Sequence, residues 1–66
     1  MQLTINGEVR TVAEVDTVAA LLDHLGVTHQ AVAVMVNGAV IPRERYASTF
    51  LADSDALEIV RFVGGG

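Results

Sequence analysis

Sixty-six residues that are 52% hydrophobic, with a mean hydropathy of +0.47, form one folded domain. A chain this short buries only about 60% of the surface its unfolded form exposes, which excludes a large enclosed active site. Its formal net charge of −4 argues against nucleic acid, which is held by clustered cations, and predicts partners with a basic surface. All four cations are arginines, Arg10, Arg43, Arg45 and Arg61, and the absence of cysteine removes disulfides, thiolate ligands and thiol nucleophiles.

In chain order, Leu3-Thr4-Ile5, Asn6-Gly7 and then Glu8 to Ala13 predict a β-hairpin, because Asn-Gly supplies the positive φ angles of tight turns. A two-residue loop would set Leu3 and Ile5 on the face of Glu8, Arg10 and Val12. A three-residue loop with a glycine bulge would pair Ile5 with Val9, and it is preferred because it keeps the apolar residues together.

Asp16 or Thr17 caps a helix in which Val18, Leu21, Leu22 and Leu25 form one apolar stripe, and Gly26 ends it. Ala31 to Val36 is an almost unbroken apolar run of strand length. A second Asn-Gly, Asn37-Gly38, turns it into Ala39-Val40-Ile41. Pro42 stops that strand and starts a short 3₁₀ or mixed helix over 43–49. Asp53-Ser54-Asp55 is a polar turn, and Leu57 to Val63 closes the domain as a strand. A single helix covers one face of a sheet, so the expected class is α+β with the other face open to solvent.

The chain then runs into Gly64-Gly65-Gly66. Such a tail packs nothing and is costly to order. Fully extended it reaches about 10 Å past Val63, which suits threading a reactive carboxylate into a narrow site on another protein. The predicted organisation is therefore a domain over 1–63 and a glycine tail over 64–66.

The ββαββ order resembles that of the ThiS sulfur carrier family of thiamine biosynthesis. So do Val34-Met35-Val36-Asn37-Gly38 leading to Ile41-Pro42-Arg43-Glu44, the aromatic Tyr46, the Asp53-Ser54-Asp55 turn and the final Gly65-Gly66. The likeness covers the whole chain. It implies the ubiquitin-like β-grasp fold, a mixed sheet of four to five strands with one main helix packed on one face. Two departures from the family pattern stand out. Met35 replaces a small residue, and Gly64 replaces the alanine common before the diglycine.

The resemblance also implies the chemistry. A partner adenylyltransferase of the ThiF type, using ATP and Mg²⁺, activates the Gly66 carboxylate, and a sulfur donor such as a cysteine desulfurase displaces the adenylate to leave a thiocarboxylate. Thiazole synthase of the ThiG type then takes the sulfur. An α-carboxyl is already ionised at neutral pH, so the chain needs no base, no bound cofactor and no catalytic residue of its own. Gly66 carries the sulfur, while Gly65 and Gly64 let the tail thread. Competing readings are the small subunit of molybdopterin synthase, a protein modifier conjugated through its terminal glycine, and an interaction module with an inert tail. Chains of the molybdopterin kind are usually longer. The lack of lysine excludes lysine-linked chains built on the protein itself.

Strand alternation places Val60 and Phe62 opposite the face shared by Leu57 and Ile59. If Leu57 and Ile59 meet the helix, Val60 and Phe62 form an apolar docking patch beside the tail, which Met35 can join; the alternative is that a neighbouring loop covers Phe62. His24 and His29 read as surface residues and not as a metal site. Ser48 has no nucleophile elbow around it. Arg43, Glu44 and Arg45 read as a solvated surface with weak ion pairs. No apolar run reaches the ~20 residues of a membrane-spanning helix, and Met1-Gln2-Leu3-Thr4 lacks a secretion-signal pattern, so the expected location is cytoplasmic.

Overall fold

The computed structural model describes residues 1–13 and 15–62. Strands β1 (Gln2–Ile5) and β2 (Glu8–Thr11) form the first hairpin, followed by helix α1 (Val18–Leu25) and a 3₁₀ turn at His29–Ala31. Strands β3 (Val32–Val36) and β4 (Ala39–Ile41) form the second hairpin, and a 3₁₀ turn at Arg43–Arg45 precedes β5 (Ala56–Arg61). The five strands make one mixed sheet in the order β2-β1-β5-β3-β4. Only the β1–β5 pairing is parallel.

Thr17 is the helix cap: its side chain accepts from the Ala20 amide at 3.1 Å, satisfying one of the free donors of the first turn. Gly26, at φ 72°, ends the helix in the left-handed conformation. The stripe of Val18, Leu21 and Leu22 is fully buried. It packs into a core with Leu3, Ile5, Val32, Val34 and Leu57, while Leu25, Val36, Ile41 and Ile59 close its margins. Each fully buried leucine contributes about 1.5–3 kcal/mol relative to exposure.

The first hairpin differs from the bulged form. Ile5 pairs with Glu8 and Leu3 with Arg10 across a two-residue turn, because Asn6 (φ 51°) and Gly7 (φ 84°) both adopt positive φ. That mirror-image turn matches the natural twist of paired strands, so no extra residue is needed. Val9 consequently sits 65% exposed on the open face. Glu8 and Arg10 share the helix-side face with Leu3 and Ile5. The strand expected over 31–36 begins one residue later, since Ala31 closes the 3₁₀ turn.

Several strand ends are completed by side chains. β1 turns away at Asn6, and the Asn6 amide then bonds Ile59 of β5 twice, Oδ1 accepting from its N–H at 2.8 Å and Nδ2 donating to its carbonyl at 3.1 Å. Asn37 repeats the device at the start of β5: its Oδ1 accepts from the Ala56 amide at 2.9 Å, and its Nδ2 donates to Asp55 at 3.0 Å. Where β4 has stopped short of Val32, the Tyr46 hydroxyl donates to the Val32 carbonyl at 3.1 Å. Asp53 accepts from the Gln2 amide at the start of β1.

Candidate functional site

β5 leads to the glycine tail, and its position in the centre of the sheet makes it a rigid base. The Phe62 amide donates to the Ala31 carbonyl at 2.9 Å, the last described backbone bond before the tail. Gly64, Gly65 and Gly66 lie outside the described residues.

Alternation along β5 puts Leu57, 2% exposed, against the helix, with Ile59 half-buried beside it. Val60 (55% exposed) and Phe62 (57% exposed) emerge on the opposite, open face. Phe62 is not covered. Ala33 lies directly across from Val60 on β3, and Met35 lies across from Val40 on β4. Met35 is half-buried and Val40 is 69% exposed. The structure therefore brings Val60, Phe62 and Met35 onto one face and adds Val40, which sequence reading missed. The available signal was the Asn37-Gly38 turn: a two-residue loop sets Met35 opposite Val40. Glu58, paired with Met35, places one carboxylate at the margin of the apolar stripe.

The other candidates are accounted for locally. His29 Nε2 lies 2.8 Å from Asp23 Oδ1, and its ring meets Tyr46 edge-on at 6.1 Å between centroids. Among the described residues, no three potential metal ligands converge. Ser48 donates to the Arg45 carbonyl at 3.3 Å, a bond within its own turn. The weak ion pairs expected among Arg43, Glu44 and Arg45 are not formed, because the tight 3₁₀ turn leaves these side chains exposed and apart; the His29–Asp23 pair is the only one among the described residues. No described helix is long and apolar enough to cross a membrane.

A five-stranded mixed sheet holding one helix, with its central last strand running into glycines, defines a protein of the ubiquitin-like β-grasp class. The ThiS family model matches residues 3–66, and the chain belongs to that family. It is 40% identical to the crystal structure of the thiamine biosynthesis protein ThiS from Geobacter metallireducens, with a TM-score of 0.83 and 100% of both chains covered. It is 38% identical over 65 residues to the sulfur carrier protein ThiS of Bacillus subtilis, covering 97% of this chain and 98% of that one. It is also 48% identical over 66 residues to a thiazole synthase of Paramagnetospirillum magneticum, covering 100% of this chain and 20% of that protein. The chain thus spans a fifth of that relative's length.

Proposed function

We propose that this chain is a sulfur carrier of thiamine biosynthesis, a protein co-substrate that performs no catalysis of its own. The Gly66 carboxylate attacks the α-phosphorus of ATP in a ThiF-type adenylyltransferase that supplies Mg²⁺, and pyrophosphate leaves. A persulfide supplied by a donor such as a cysteine desulfurase then attacks the acyl carbon through its outer sulfur and expels AMP. A thiol reductant cleaves the S–S bond of the resulting acyl persulfide, forming a disulfide and leaving the thiocarboxylate. A ThiG-type thiazole synthase takes that sulfur. Gly65 and Gly64 carry no side chain that would widen the entering strand.

The observation that carries this reading is the apolar stripe of exposed Val40, Val60 and Phe62 with half-buried Met35, which runs from the strand that leads to the glycines across β3 to the edge strand β4. An apolar surface there lets a partner grip the folded body while the tail enters its site. The full-length likeness to sulfur carriers supports the chemistry, and the likeness to part of a thiazole synthase supports the acceptor.

The test is an intact-mass measurement after incubation with ATP, Mg²⁺, a ThiF-type enzyme and a sulfur donor. Exchange of one oxygen for sulfur is expected. An unchanged mass under conditions that load another carrier of the family would overturn the reading.

A further inference from the structure

On the helix side of the same sheet end, a groove of about 430 Å³ opens between the Asn6-Gly7 turn, the end of α1 and β5. Its apolar floor is Ile5, Leu25, Val27 and Ile59, and Arg10 and Arg61 line it as well. A chain of net charge −4 thus gathers two of its four cations at one place. Both are exposed, and neither forms an ion pair among the described residues, although Glu8 lies in the same groove. A guanidinium left free beside apolar surface is suited to a bidentate bond with a carboxylate.

The backbone adds a second, independent feature. The Phe62 amide bonds Ala31, and the antiparallel register pairs Val60 with Ala33, so the even-numbered residues of β5 address β3. The odd-numbered ones address β1. Leu57 accepts from the Asn6 amide and Ile59 is taken up by the Asn6 side chain. Beyond Asn6 the first hairpin has turned away, and among the described residues no hydrogen bond takes up the Arg61 N–H or carbonyl. An exposed strand edge of this kind accepts an added extended segment.

We propose that this groove binds an extended segment of a partner protein in which glutamate or aspartate stands next to an aliphatic residue. The segment lies beside β5 in the place β1 has vacated, its aliphatic side chain on Val27 and Ile59 and its carboxylate between Arg10 and Arg61. The surface is chemically distinct from the apolar stripe on the open face. Two different contacts can therefore be made on either side of the strand that bears the tail.

The test does not depend on sulfur loading, so it stands or falls apart from the carrier reading. A short capped peptide of valine and glutamate is titrated into the isotope-labelled protein, with its valine–lysine counterpart as control, and amide shifts are followed by NMR. Saturable shifts are expected at Ile5, Leu25, Ile59 and Arg61 with the glutamate peptide only. The double variant Arg10→Glu with Arg61→Glu should weaken that binding by on the order of tenfold or more. The proposal is overturned by an absence of saturable shifts, by an equal response to the lysine peptide, or by shifts confined to Met35, Val40 and Val60. The comparison of the two peptides on the unaltered protein decides the matter even if the double variant folds poorly.

Discussion

Asn6 has two roles, of which the sequence displays one. Its place before Gly7 marks a turn, and the turn is there. Its amide also bonds Ile59, 53 residues away, and nothing in local patterning points to a partner so distant. Asn6→Gly keeps the positive φ while removing both bonds. It should cost about 1–2 kcal/mol, with faster hydrogen exchange at the Ile59 amide; chemical denaturation and exchange NMR measure the two effects. Tyr46 is similar. Its aromatic ring marked it as part of the family pattern, but its buried hydroxyl satisfies the Val32 carbonyl left without a strand partner. Tyr46→Phe preserves the packing and strands that acceptor, so a loss of about 1–2 kcal/mol in denaturant titrations is expected.

At the scale of elements, period and punctuation made the helix and both hairpins legible. The stripe of Val18, Leu21 and Leu22 is buried as spaced, and the proline and Asn-Gly signals fall at element ends. The register of the first hairpin was not legible. Grouping apolar residues is a sound rule for a central strand, but β2 is an edge strand that the helix does not fully cover. Glu8 and Arg10 can therefore occupy the helix-side face at the groove's margin while Val9 faces solvent. The alternation of β5 was legible, and from it the face that Val60 and Phe62 share, whereas the 57% exposure of Phe62 depends on where the neighbouring loops run and was not. Replacing Val60 and Phe62 with aspartate should cost about 1–2 kcal/mol of folding stability, because aspartate is a poor strand former and each native side chain is partly covered. It should slow sulfur loading by on the order of tenfold or more if these residues anchor the partner. Calorimetry and timed intact-mass measurements on the same preparation separate the two effects.

At the scale of the whole molecule, the core among the described residues is assembled from side chains between Leu3 and Ile59, and glycines have no side chain to add to it. A chain lacking residues 64–66 should therefore unfold at the same temperature as the intact one, within about a degree for a change well under 1 kcal/mol, while accepting no sulfur. Scanning calorimetry and intact mass together test this. The fold class could be read from sequence because it rests on local pattern. The groove could not, since it is assembled from the first strands, the end of the helix and the last strand.

The parallel pairing of β1 with β5 bears on how the protein is made. The sheet's central position stays vacant until β5 fills it, with β1 on one side and β3 on the other. Closing so long a loop comes late in folding, because its entropy must be met before the contact forms. A nascent chain interrupted before Ile59 has two separate hairpins and a helix with no sheet to rest on. Such fragments would be open to proteolysis, and the cell would hold few folded bodies that lack the strand leading to the glycines.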